Sequence, residues 1–227
     1  MTICLVTDRR RLVRAGAHES DRRRCLLAQA RFAVEAGVDL IQVRERDLEA
    51  ADLAALVADL LAITRRTPTR VVVNDRLDVA LAAGADGVHL RGDSIATAEA
   101  RRLAPAGFLV GRSVHGAAEA AGAGDADYLI AGTVFPSRSK DAAQPLLGVD
   151  GLRAIVESTA APVLAIGGIT AERFDAVAAA GAAGFAAIGV FISAAADETD
   201  SRGCSVGDLR AVVGGARAMF DRVNTAP

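Results

Sequence analysis

Tryptophan is absent, and the 227 residues contain one tyrosine, two methionines and three cysteines. Aromatic residues supply only 4% of the chain, so any core must be assembled from aliphatic side chains. The cysteines, Cys4, Cys25 and Cys204, are odd in number and form no close pair. That spacing argues against a disulfide framework and a zinc site, and it reads as buried, reduced thiols in a cytoplasmic protein. No run of about 18 apolar residues occurs, which excludes a helix spanning a bilayer. The stretch Met1–Asp8 lacks the basic segment and apolar run of a signal peptide. A net charge of −2 gives no electrostatic case for nucleic acid or an anionic membrane as partner. Lysine is almost missing: Lys140 stands alone beside 25 arginines.

What the chain does have is hydrophobic mass, at 52% of residues against 24% charged, enough for a large core and too much for disorder. An Ala-rich helical stretch, a glycine and a short apolar run recur in that order, as in Glu35-Ala36-Gly37 before Leu40 and Ala83-Gly84 before Gly87. Glycine suits the left-handed residue that ends a helix, and the apolar run suits a strand buried on both faces. Read this way, strands fall near 3–7, 40–44, 70–74, 86–90, 108–112, 127–132, 162–167 and 184–189. Helices follow near 21–36, 48–65, 76–83, 95–104, 116–123, 149–159, 171–180 and 206–222. Eight alternations in this length predict an α/β fold, a single (β/α)8 TIM barrel over 1–227, with its core at about 3–193. A doubly wound open sheet is the competing architecture. Residues 194–205, rich in Asp, Glu, Thr and Ser, read as a mobile loop before the C-terminal helix.

In a barrel of this kind, chemistry gathers at the C-terminal ends of the strands. Those ends are polar or glycine-rich here, against strands that are almost wholly apolar, which points to an enzyme or small-molecule binder. Gln42, Arg44 and Arg46 alternate and so share one strand face, suiting an anionic or heteroaromatic ligand. Glu45 and Asp47 offer the alternative of neutralising those arginines. Asn74-Asp75 ends the third strand, where Asp75 could bind a hard cation or a ligand N–H, pair with Arg76, or cap a helix. Ser113 and His115 follow the fifth strand, and an imidazole at a barrel mouth is placed for proton transfer. His89 lies within an apolar strand and is expected to pack there, and His18 to be solvated in an early loop. Ser137, Ser139 and Lys140 after the sixth strand suit a carboxylate or phosphate. Gly167-Gly168, with Ile188-Gly189 beside them, form the phosphate-binding pattern of the seventh and eighth loops, although Thr170 and Glu172 could serve only as helix caps.

In register, eight segments resemble the superfamily of thiamine-phosphate synthases and TenI-type thiazole tautomerases over about residues 3–193. They are Leu5–Asp8, Gln42–Glu45, Val73–Arg76, Ala85–Leu90, Gly111–His115, Asp127-Tyr128 with Gly132–Pro136, Lys140, and Ala165–Ile169. The resemblance implies a TIM barrel, a homodimer, and a small phosphorylated thiazole as ligand. A synthase would couple an aminopyrimidine diphosphate to the thiazole phosphate, with Mg2+ held by two aspartates. The first is Asp75. The second falls on Ser94, next to Asp93, which would have to shift to compensate. The Gly-Gln expected before it reads Arg91-Gly92, and an expected lysine is Arg46. Tautomerases also lack that second aspartate and carry Gly-Arg-Ser-Val-His, as residues 111–115 do. Their chemistry needs no cofactor: His115 would move the proton, Gly167, Gly168, Ile188 and Gly189 would hold phosphate, and Ser137, Ser139 and Lys140 the carboxylate. Asp75 and Glu45 are weaker candidates for the base, because adjacent arginines should hold their pKa low. The expectation is therefore a thiazole tautomerase, with the Mg2+-dependent synthase second and a non-catalytic thiazole-phosphate sensor third.

Overall fold

The computed structural model describes residues 1–136, 145–192, 204 and 206–225. Eight strands run β1 Thr2–Val6, β2 Leu40–Val43, β3 Arg70–Asn74, β4 Gly87–Leu90, β5 Leu109–Val114, β6 Tyr128–Gly132, β7 Val163–Ile166 and β8 Gly184–Ala187. Each pairs in parallel with the next, and β1 pairs with β8 through Thr2–Gly184 to Leu5–Ala187, closing the barrel. The helices between and after them are α1 Glu19–Ala36, α2 Ala50–Thr64, α3 Leu77–Ala83, α4 Thr97–Leu103, α5 Ala117–Ala121, α6 Gly148–Glu157, α7 Phe174–Ala179 and α8 Leu209–Thr225. The open sheet is thereby excluded. Parallel strands covered on both faces need apolar residues throughout, and β2, β4, β6 and β8 are buried at every position. Glycines end α1 and α3 as their spacing predicts: Gly37 and Gly84 sit at φ of 85° and 68°, returning N–H groups to the last helical carbonyls.

Alternate strand residues separate into two cores. Cys4, Val6, Leu40, Val72, Tyr128, Ile130, Leu164 and Ala186 fill one cluster, and their neighbours Ile3, Leu5, Ile41, Val73 and Phe185 face the surrounding helices. On the helical side Phe185 stacks between Phe174 and Phe191, with ring centroids 5.0 and 6.2 Å away. Strand order alone thus carries the C-terminal strand ends to one mouth.

The cysteine reading needs correction. Cys25 of α1 and Cys204 form a disulfide, with Cα atoms 5.4 Å apart, and only Cys4 is a free, buried thiol. Spacing arithmetic missed it because 179 residues separate the pair in sequence. Closing the barrel sets α1 beside α8, and the segment leading into α8 inherits that neighbourhood. Most of the predicted loop at 194–205 lies outside the described residues, apart from Cys204. No helix among the described residues is long and apolar enough to cross a membrane.

Candidate active site

A cavity of about 1470 Å³ opens at the C-terminal mouth of the barrel. Gln42, Arg44, Arg46, Asn74, Ser113, His115, Gly167, Gly168, Ile188 and Gly189 all line it, so residues from β2, β3, β5, β7 and β8 converge as the strand-end reading requires. Ser137, Ser139 and Lys140 lie outside the described residues. Asp75 does not line the cavity; it sits beside it, with a left-handed φ of 65°.

On the β2 side, the arginines are left without acid partners. Arg9, buried after β1, takes Glu45 at 2.8 Å and Asp47 at 2.7 Å, and its Nε reaches Glu19. The two acids offered as neutralisers of Arg44 and Arg46 are therefore consumed elsewhere. Among the described residues no hydrogen bond or ion pair joins either guanidinium to an acid, and Arg44 is held below its usual pKa by burial and by the Arg46 charge. Thr7 couples the two layers, accepting the Arg44 N–H at 2.9 Å while its hydroxyl helps to stabilise the Glu45 charge. Glu45 also departs from expectation: burial raises its pKa despite Arg9, because desolvation of the charge outweighs the ion pair.

Two buried polar groups point to a ligand. Among the described residues Gln42, 3% exposed, has no partner for its Nε2 and His89 none for its Nδ1; both residues line the cavity. A buried donor without a partner is costly unless ligand or water satisfies it. His89, expected merely to pack in its strand, is thus a site residue that periodicity concealed. Its Nε2 meets Ser113 Oγ at 2.9 Å, and burial pushes its pKa to about 3, so it stays neutral. His18 is exposed as expected, and it also caps α1 by accepting the Ser20 N–H.

His115 stands just past β5 with half its side chain exposed. Its Nδ1 lies 3.2 Å from Glu119 Oε2, which also accepts the His115 backbone N–H at 2.9 Å. The ring packs over Gly92, next to Arg91. Arg112 fills the gap between these loops, donating to the carbonyls of Ile95 and Gly92.

Across the mouth, Gly167 and Gly168 adopt φ of 101° and 63°, a conformation that favours glycine. A Cβ on Gly168 would collide with the Pro136 carbonyl and come within 2.8 Å of Phe135 Cβ. A side chain at 168 would therefore disturb loop packing before it tested ligand access. Gly189 is different: among the described residues its Cβ would meet only Arg11 Nη2, at 3.8 Å. Arg11 lines the same end of the cavity and was missed because it follows β1 by a turn.

The two-aspartate metal site fares poorly. The Ser94 hydroxyl donates to Asp75 Oδ1, and Arg91 Nη1 lies 3.5 Å from Asp75 Oδ2. Asp93, mostly exposed, turns to Arg91 at 2.7 Å instead of compensating for the missing carboxylate. Mg2+ needs a near-octahedral shell of oxygens, whereas this set offers one carboxylate with a guanidinium already against it. Among the described residues no group of three His, Cys, Asp or Glu side chains could hold a metal ion. The residues present do not fit the ion.

Comparison with known proteins agrees with the geometry at the level of family. Residues 12–191 match the TMP-TENI family, described as thiamine monophosphate synthase. A thiamine-phosphate synthase of Methanoregula boonei is 43% identical over 199 residues, covering 87% of this chain and 85% of that protein. One of Methanoculleus marisnigri is 42% identical, covering 87% of each. The structure of thiamine phosphate pyrophosphorylase from Pyrococcus furiosus superposes with a TM-score of 0.76 at 32% identity, over 98% of this chain and 96% of that one. A 3-hexulose-6-phosphate synthase, at 21% identity and TM-score 0.67, shares the fold alone. The chain belongs to the thiamine monophosphate synthase family.

Proposed function

We propose that the chain is a thiamine-phosphate synthase, joining an aminopyrimidine methyl diphosphate to a thiazole phosphate. The observation that carries this reading is the two-ended mouth. One end, at β7 and β8, offers glycine backbone and Arg11; the other, at β2 and β4, offers Arg44, Arg46 and Arg91. In the closed strand order β4 stands opposite β8, while β2 is separated from β8 by β1, so the two groups occupy different arcs of one mouth. Two phosphorylated substrates need two anion grips in one cavity, and about 1470 Å³ exceeds the common size for one small ligand. The names of the similar proteins support the same choice.

In this chemistry the thiazole nitrogen attacks the pyrimidine methylene carbon. The C–O bond breaks, and its electron pair leaves with the diphosphate. The chain's contribution is to align nitrogen, carbon and leaving oxygen, and to neutralise the charge that builds on the diphosphate. Gly167, Gly168, Ile188 and Gly189 would orient the thiazole phosphate. Gln42 Nε2 and Asn74 would meet the pyrimidine, and the guanidiniums the leaving group. No step is assigned to a metal here, because the donor set does not fit one.

The tautomerase remains as a second reading, favoured by one observation: Asp75 is committed to Ser94 and Arg91, leaving no second carboxylate. In that case His115, oriented by Glu119, would carry the proton, with no cofactor. Incubating the enzyme with both synthase substrates, and separately with the exocyclic-alkene carboxythiazoline phosphate, distinguishes the readings. Thiamine phosphate formation supports the synthase. Aromatisation of the thiazoline without coupling would replace it.

A further inference from the structure

Arg91 follows β4 directly and occupies the turn where the synthase pattern carries a metal-binding acid three residues later. The turn is tied at both ends: the Arg91 N–H donates to Ser94 Oγ at 2.8 Å, and the Ser94 N–H to the Arg91 carbonyl at 3.2 Å. The Ser94 hydroxyl then donates a hydrogen bond to Asp75 Oδ1, and the second Asp75 oxygen faces the Arg91 guanidinium. The Arg91 guanidinium thus stands where a second carboxylate would help hold an ion, 3.5 Å from Asp75 Oδ2 and paired more closely with Asp93 Oδ2 at 2.7 Å. That guanidinium lines the cavity, and its charge reaches Arg44.

Guanidiniums repel one another, and a half-buried one without an acid partner is poorly solvated. Arg44 has both disadvantages, with Arg46 and Arg91 near it and only Asp8 and Glu45 charges opposing. An anionic ligand relieves both, and the planar fork suits bidentate contact with phosphate oxygens. We propose that Arg91, with Arg44 and Arg46, neutralises the diphosphate end of the substrate directly, replacing the divalent cation. This deepens the synthase reading and rests on it for the identity of the substrate. Ser94 is then a positioning residue rather than a failed ligand.

The test uses inorganic pyrophosphate as probe, titrated calorimetrically into the full-length protein with chelator and, separately, with excess Mg2+. Comparable binding in both conditions is expected. Arg91→Gln should weaken it by roughly 10- to 100-fold in each, the loss typical of a charged hydrogen-bond partner. Arg91→Lys should recover part of that loss, since charge returns without the fork. If Arg91→Gln does not fold, Arg44→Gln should show the same loss. Ser94→Asp should reverse the dependence, lowering affinity in chelator and making Mg2+ necessary. Pyrophosphate binding to the native chain only with Mg2+, or undiminished binding to folded Arg91→Gln, would overturn the proposal. Product formation is scored separately: intact metal-free pyrophosphate binding without thiamine phosphate would sink the synthase reading and uphold the guanidinium site.

Discussion

Gly189→Val separates ligand access from fold at the phosphate end of the cavity. The residue lies outside the left-handed region, and its Cβ would sit 3.8 Å from Arg11 Nη2, an ordinary contact. The backbone therefore accepts a side chain with little strain, in contrast to Gly168, where Phe135 and Pro136 already fill the space. The valine methyls extend one further bond, about 1.5 Å, toward the volume where a phosphate would approach the N–H groups of the loop. Each charge-assisted hydrogen bond lost is worth about 1.5–3 kcal/mol, so displacing one oxygen should weaken binding by roughly 10- to 100-fold. Calorimetry with the thiazole phosphate and with its dephosphorylated alcohol gives the readout. Only the phosphate ester should lose affinity, and the thermal midpoint should stay near that of the native protein. A folded Gly189→Val that binds the ester normally would place the phosphate somewhere other than this loop.

Four further outcomes are expected. Asp47, paired with Arg9, has its pKa lowered from 3.8 to about 2, so its stabilising contribution is complete above pH 3.8 and is lost as pH falls toward about 2; urea titrations of Asp47→Asn across that window should show a flatter curve than the native chain, and an unchanged slope would refute the assignment. Glu45 has the opposite sign, its folded pKa being raised, so Glu45→Gln, although it costs stability overall by unpairing Arg9, should remove the loss of stability that sets in as pH rises above 4.5, read by the same urea titrations. Because the Cys25–Cys204 link spans 179 residues, Cys25→Ser or reduction should cost up to about 5 kcal/mol by the loop-entropy relation, seen as a lower thermal midpoint; alkylation mass spectrometry finding both thiols free in the oxidised protein would contradict the link. His115→Asn should reduce kcat for thiazoline aromatisation by about 10²–10⁴-fold with little change in affinity if the tautomerase reading holds, and coupling to form thiamine phosphate should be affected far less.

The barrel was legible because its signal is repeated eight times. Apolar strand, polar end, helix and glycine each have a local cause, and closure adds no new requirement on sequence. Strand boundaries landed within a residue or two for β3 and β4, where Asn74 and Leu90 end both the pattern and the element. The site was legible wherever strand position alone determined it, as for Gln42, Asn74 and Gly168. It was not legible where partners come from distant elements. Nothing near Glu45 in sequence announces that Arg9, 36 residues earlier, takes its carboxylate. The same holds for His89, whose ring lies inside an apolar strand yet reaches the cavity, and for Cys25 with Cys204. Local motifs name residue types, but pairing is decided by closure.

That pairing explains why the mouth stays positive in a chain of net charge −2. A buried cation is tolerated only when fully paired, and Arg9, 3% exposed at its side chain, gathers three acids. Two of them, Glu45 and Asp47, flank Arg46 in sequence and would otherwise be its nearest neutralisers. Arg9 thereby withdraws negative charge from the β2 loop, and Thr7 fixes the Arg44 backbone by accepting its N–H. The result is a pair of guanidiniums whose best available partner is a ligand. At β4 the arrangement is inverted, with Asp75 kept beside Arg91 to aim it and Ser94 holding the turn. Two devices thus shape this end of the cavity: removal of acids leaves Arg44 and Arg46 unpaired among the described residues, and pairing with Asp93 and Asp75 aims Arg91. Both act on arginine, whose charge persists at any physiological pH, so anion binding here should not depend on titration of the arginines themselves.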